Sequence, residues 1–253
     1  MKKKWVLAML MGGILIVGLT IVMNTGQGQV KVINQSGDGI PTADFSVSNP
    51  LSSQEREIRD QRGRKYKSNI PLEKMEDQET VLYGSPSFNH APAEPAFPIE
   101  QSDMVILGTV TGSQAFISND RSAVYCEFQV TVNKILKTDK VLEIAPTANI
   151  VVEREGGKVR FDSGRIQRRG EYGRNLPQKS REYVLFLKWD EPGKDFTIIT
   201  GYEIQGQSVS PLDGGPSANA PLFRDYQRYR NAELDSFLSD LKEALNKSTG
   251  GIK

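Results

Sequence analysis

Val124, Cys126, Phe128, Val130 and Val132 alternate with Tyr125, Glu127, Gln129, Thr131 and Asn133. A strict period of two predicts a strand with one face in a core, because successive side chains leave a strand on opposite sides. Other short segments of the same kind surround it. Met104 to Val110 is an apolar run ending in alternation, and Ile150 to Arg154 reads as a third strand. Tyr183 to Leu187 is continuously apolar, as a strand buried on both faces must be, and Phe196 to Ile199 follows it. Polar turns separate these pieces at Ser118 to Ser122 and at Asp190 to Lys194, the second carrying Pro192-Gly193. Gly156-Gly157 predicts a hairpin between Ile150 to Arg154 and Lys158 to Phe161, and Gly206 predicts a last one between Tyr202 to Ile204 and Gln207 to Ser210. Short strands without helical pattern between most of them predict a mainly β domain over residues 102–212, an antiparallel barrel or sandwich of OB-like form.

The N-terminus follows a different rule. Lys2, Lys3 and Lys4 precede an uncharged run from Trp5 to Met23. As a helix this run spans roughly 28 Å, close to the ~30 Å hydrocarbon core of a bilayer. Its length exceeds the apolar core of a cleaved signal peptide, and the exit Val22-Met23-Asn24-Thr25-Gly26-Gln27 lacks small residues at the positions a cut requires. Residues 1–23 are therefore expected to be an uncleaved signal anchor. The basic flank stays in the cytoplasm and the bulk of the chain lies outside it. The alternative is a secreted or periplasmic protein released by signal cleavage.

Residues 24–101 are poor in large apolar side chains and are punctuated by Pro41, Pro50, Pro71, Pro86, Pro92, Pro95 and Pro98. They are expected to form a flexible tether with a reach of about 50 Å. One helix is predicted within it, from about Ser52 to Tyr66. Ser52 or Ser53 is its cap, Glu55 and Glu57 lie in its first turn, and Arg62, Arg64 and Lys65 lie at its end. Residues 213–253 form a C-terminal loop and an amphipathic helix. Leu234, Phe237, Leu238, Leu241 and Leu245 make one apolar stripe behind a cap at Asn231. The stripe either packs on the β-domain or meets a partner.

The chemistry available is sparse. The chain has one Cys and one His, which excludes an internal disulfide and a zinc site of three or four His/Cys ligands. His90 falls in the tether, away from any nucleophile, so a His-based triad is not expected. Cys126 reads as a core thiol. Layout alone brings the signal peptidases to mind, but their Ser-Met and following Pro are absent. Glu153 and Glu155 fall on one side of a strand end, in principle a pair for glycoside hydrolysis, although beside Arg154 and Lys158 they read as solvated. No phosphate-binding glycine loop or zinc helix motif is present. No catalytic, metal or cofactor residue is assigned. The charge is better informed by its distribution than by its total of +1. From Glu153 to Arg181 there are nine basic and four acidic side chains, interspersed with glycines. Arg160, Arg165, Arg168, Arg169 and Arg174 are the candidate surface for an anionic partner, a lipid head group, an envelope polymer or an acidic envelope protein. Nucleic acid is not an expected partner outside the cytoplasm.

Ser102-Asp103-x-Val105-x-x-Gly108-x-Val110, Ser118-Asn119-Asp120, Val124-Tyr125-x-Glu127-Phe128 and Ile135-Leu136-Lys137 together resemble a group of uncharacterised bacterial envelope proteins. Glu153-Arg154-Glu155-Gly156-Gly157, Val159-Arg160-Phe161, Gly164-Arg165, Tyr183 to Leu187 and Thr200-Gly201-Tyr202-Glu203 extend the resemblance over about residues 101–213, with Cys126 standing where Ser is expected. The layout also resembles OB-type barrels such as those of the tissue inhibitors of metalloproteinases, without their cysteines. That likeness implies binding rather than catalysis. The expectation is a membrane-anchored extracytoplasmic binding domain. A carboxylate-dependent envelope hydrolase and a structural subunit of an envelope complex are the alternatives.

Overall fold

The structure is a computed structural model that describes residues 39–46, 52–83, 92–139, 144–214 and 221–249. The expected anchor at 1–23 and His90 lie outside the described residues. Among the described residues no helix is long and apolar enough to cross a membrane.

The chain is mainly β, and antiparallel pairing predominates. Its largest sheet has seven strands: β3 (Met104–Ile117), β4 (Val124–Thr138), β5 (Asn149–Glu155), β8 (Glu182–Asp190), β9 (Asp195–Gln205), β10 (Ser208–Pro211) and β11 (Ala232–Glu233), in the order β11-β10-β9-β5-β4-β3-β8. β8 pairs with β9 as well as with β3, so β3, β4, β5, β9 and β8 each have two partners among themselves. Only β5 and β9 run parallel in this sheet, through Val152 beside Phe196 and Glu153 beside Thr197.

The alternation on β4 does what its period predicts. Val124, Cys126, Phe128, Val130 and Val132 are all buried in one cluster with Met104, Ile106, Leu185, Leu187 and Ile198. The continuous run on β8 is buried on both faces. Leu185 and Leu187 belong to that cluster, while Val184 and Phe186 face a second one with Val105, Tyr202, Phe237 and Leu241. The second cluster is closed by α3 (Leu234–Thr249), whose Phe237 ring lies 4.8 Å from Tyr202 and 5.3 Å from Tyr229. The stripe read from the sequence thus packs on the β-domain, with Leu238 left exposed. Long β3 and β4 stay paired by taking up three register shifts, one beside Gly108. A Cβ there would come within 2.7 Å of Val130 Cγ1 and 3.0 Å of Thr131 O, so the close approach of the two strands requires glycine.

Two local expectations are corrected. Gly156-Gly157 is not a hairpin turn. β5 pairs with β4 and β9, whereas β6 (Gly157–Arg160) pairs with β7 (Ile166–Glu171) in another sheet, so the positive φ values of 118° and 150° redirect the chain between sheets. Asn231 does not cap α3. It takes a left-handed φ of 58°, the chain pairs with β10 through Ala232 and Glu233, and the helix starts at Leu234.

The described parts of 24–101 carry structure. β1 (Thr42–Asp44) adds to β6 and β2 (Thr80–Tyr83) adds to β7, both parallel, giving a second sheet of order β1-β6-β7-β2. α1 (Ser53–Gly63) starts where expected. Ser52 caps it, and Ser52 and Glu55 satisfy each other's backbone N–H groups. Leu72 is fully buried in a 3-10 turn, Tyr66 stacks on Tyr125 at 4.9 Å, and Phe97 joins the cluster under α3. Each of these apolar residues stands nearly alone in sequence, which is why the segment's composition reads as a tether. Each nevertheless fills a site prepared by the β-domain.

Candidate functional site

The five arginines assigned from sequence do not form one surface. β7 alternates, so Arg168 and the adjacent Arg169 leave on opposite faces. Arg168 is exposed and lies between Lys158 of β6 and Thr80 of β2. Arg169 is 1% exposed and donates to Ser122 O at 2.9 Å and to Met75 Sδ at 3.4 Å. Arg160 pairs with Asp44 at 3.3 Å across the β1–β6 edge, and Arg165 pairs with Asp77. Arg174 is turned inward, onto Asp213 at 3.1 Å and onto Glu94. Burial opposes its charge, but Asp213 and Glu94 outweigh that and hold its pKa above the usual arginine value. The excess positive charge of 153–181 therefore meets acids supplied by other parts of the chain. Of the five, Arg160, Arg165 and Arg168 share the β6–β7 hairpin, beside the exposed apolar side chains of Ile166 and Leu82.

Asp213 is the centre of the buried polar network. Its Oδ2 accepts from Arg154 Nη2 at 2.7 Å, Arg174 Nη1 at 3.1 Å and Thr200 Oγ1 at 2.8 Å, and its Oδ1 accepts from Asn175 N at 3.2 Å. Arg154 is itself buried. Its guanidinium also donates to Asn175 O and Ile199 O.

The densest cluster of ionisable groups lies beneath α1. Glu127 of β4 and Glu153 of β5 are cross-strand partners, and Asp190 and Asp195 face each other at the mouth of the β8–β9 hairpin. Over them α1 and its exit place Arg59, Arg62 and Lys65, whose spacing of three puts them on one side of the chain. Arg62 bridges Glu127 at 3.1 Å and Asp195 at 2.7 Å, and donates to Gly193 O at 3.1 Å. Lys65 Nζ touches Glu153 Oε1 and lies 3.0 Å from Asp190 and 3.5 Å from Asp195. Glu153 is fully buried, against the solvated reading given to it above. Thr197 Oγ1 lies 3.4 Å from its Oε1, and its Oε2 has no hydrogen-bond partner among the described residues. Asp195 is 1% exposed. Burial pushes its carboxyl up to about 6, Arg62 and Lys65 oppose the rise, and Asp190 and Glu127 add to it. Glu153, Asp190 and Asp195 each turn one oxygen toward a common point, a donor set of the kind that holds a hard cation, and the Lys65 ammonium fills it.

Sequence reading missed this cluster because its members come from five separate segments. The legible signal was the triplet Arg59, Arg62, Lys65 together with an acid, Glu127, in the alternating segment Val124 to Asn133, which carries no other charge. Cys126 sits in the core as expected, where burial first and Glu127 second push its thiol well above the ordinary value. Comparison with protein-family models, with curated proteins and with solved structures finds no match.

Proposed function

We propose that this chain is a membrane-anchored extracytoplasmic binding or interaction domain without catalysis of its own, and that its ring of strands is a closed OB-type barrel. The observation that carries the reading is the double pairing of β8, which gives each of β3, β4, β5, β9 and β8 two neighbours and leaves the parallel β5–β9 contact as the one exception to antiparallel order. Five-stranded barrels of this type present ligands to an outer strand face and the adjoining loops. On the β4–β5 face that position is covered by α1 and its exit, where Arg62 engages Glu127 and Lys65 engages Glu153. That engagement also speaks against the hydrolase alternative, since the buried Glu153 faces Lys65 and is not open to a substrate.

The contact surface is then the open face of the second sheet, where Arg160, Arg165 and Arg168 stand beside Ile166 and Leu82, 41% and 44% exposed. Its partner is an anionic envelope polymer, lipid head group or acidic protein surface, which must compete with Asp44 and Asp77 for Arg160 and Arg165. Such contacts are weak singly and screened by salt. The uncharged run from Trp5 to Met23 supplies the membrane anchor. The test is sedimentation of the purified protein with anionic vesicles and with isolated envelope polymer at two salt concentrations. Binding should fall with salt and with Arg165→Ala plus Arg168→Ala. Binding indifferent to both, or absent from every anionic surface, refutes the surface.

A further inference from the structure

Lys65 lies two residues beyond α1 and is, among the described residues, the only lysine placed among the four carboxylates of the cluster beneath it. With a single Cys the chain has no disulfide to lock this segment to the β-domain. We propose that Lys65 condenses with Asp195 to form an intramolecular amide that fastens α1 to the β8–β9 hairpin, with Glu153 carrying the proton.

The geometry assigns each group a role. Lys65 Nζ is 3.5 Å from Asp195 Oδ1, so the attacking nitrogen is already near the carboxyl it joins. Asp195 Oδ2 lies 2.7 Å from Arg62 Nε in an ion pair, the N–H itself being directed at Gly193 O, so the guanidinium charge stabilises the charge that gathers on that oxygen during attack and leaves Oδ1 as the departing oxygen. Glu153 is fully buried, touches Lys65 Nζ through Oε1 and keeps an Oε2 without a hydrogen-bond partner among the described residues, as fits a group that takes up and returns a proton. Asp190 Oδ2 accepts from Gly193 N at 2.8 Å and from Lys65 at 3.0 Å, and so positions the amine. At Gly193 an added Cβ would lie 2.3 Å from Asp190 Oδ2 and 2.8 Å from Asp195 Oδ1, so the hairpin backbone packs closely against both carboxylates. Burial favours the acid form of Asp195, the form that loses its hydroxyl.

The step balances without any co-reactant. One proton passes from the Lys65 ammonium to Glu153, and the freed electron pair forms the Nζ–Cγ bond. The Cγ–Oδ1 bond breaks, and the oxygen leaves as water with the proton returned by Glu153, which then takes the surplus proton from nitrogen. An ammonium, a carboxylate and a carboxylic acid become an amide, a water and a carboxylic acid.

The test is tryptic mapping of the full-length protein. Trypsin cuts after Lys194, so Asp190 and Asp195 fall in different peptides and the partner of Lys65 is read directly. The expected product is a branched peptide joining the Lys65 segment to the one beginning at Asp195, lighter than its two parts by one water. Lys65→Arg, which keeps the charge, should remove the branch completely while circular dichroism stays native. Glu153→Gln should leave a folded but largely unlinked chain. Asp195→Asn should restore a branch by losing ammonia in place of water, which an ionic latch cannot do. Recovery of Lys65 and Asp195 only in linear peptides from folded protein, or a branch to Asp190 or Glu153 instead, overturns the proposal.

Discussion

Replacing Asp213 by Ala tests whether the polar network at the end of β10 is structural. The carboxylate is completely buried and accepts four hydrogen bonds, two of them from guanidinium groups. Truncation leaves Arg154 and Arg174 charged in places where their side chains are only 6% and 13% exposed. Removing one partner of a buried ion pair costs about 3–5 kcal/mol, because the remaining charge has lost its compensation. Both arginines keep other acceptors, Arg154 in Asn175 O and Ile199 O and Arg174 in Glu94, so the lower end, about 3 kcal/mol, is expected. Urea unfolding of wild type and Asp213→Ala should show a lower midpoint with an unchanged slope. Asp213→Asn keeps an acceptor and loses the charge, so it should fall between the two. Adding Arg174→Met to Asp213→Ala should cost less than the sum of the single changes, since the stranded cation is removed. A loss below about 0.5 kcal/mol for Asp213→Ala, the size of an ordinary surface substitution, refutes the reasoning.

Phe237→Ala removes the ring at the centre of the aromatic cluster under α3 and should cost about 3–5 kcal/mol in urea unfolding. Glu155 carries a carboxyl raised above 4.5 by burial first and Glu171 second, with Arg169 partly offsetting. A carboxyl that is harder to ionise in the folded state contributes stability at low pH and loses it as pH rises through its folded pKa. Glu155→Gln should therefore be more stable than wild type at neutral pH, with the gap closing below about pH 4 in unfolding curves taken at several pH values. Cys126, buried and with its thiol pushed up, should react with a thiol-specific reagent only after unfolding, and prompt labelling of folded protein would contradict its place in the core.

The sequence made the strands of 102–212 legible for a physical reason. An apolar core on one face leaves alternation, as at Val124 to Val132, where Tyr125 on the other face is buried under Tyr66, and burial in apolar clusters on both faces leaves a solid run, as at Tyr183 to Leu187. The stripe of α3 was legible on the same ground. Pairing was not, because Gly156-Gly157 has the composition of a tight turn whether it joins two strands of one sheet or passes the chain to another. The contribution of residues 39–101 was hidden by dilution. Tyr66, Leu72 and Phe97 leave no periodic trace, and each depends on a site that only the folded β-domain provides. Charge was the least legible. Composition counts Arg169, Arg174 and Glu153 as surface groups, and only tertiary contact with Ser122, Asp213 and Lys65 turns them inward.

The central claim is an anchored domain held outside the cytoplasm, and its most direct test uses the chain's single, buried Cys126 as a silent background. Lys242 is exposed on α3, so Lys242→Cys offers one reactive thiol to a membrane-impermeant maleimide added to intact cells. The account predicts labelling without lysis, on a full-length chain that sediments with membranes and is freed by detergent. Labelling only after lysis, or a labelled chain shortened at its N-terminus and free of the membrane, would contradict it.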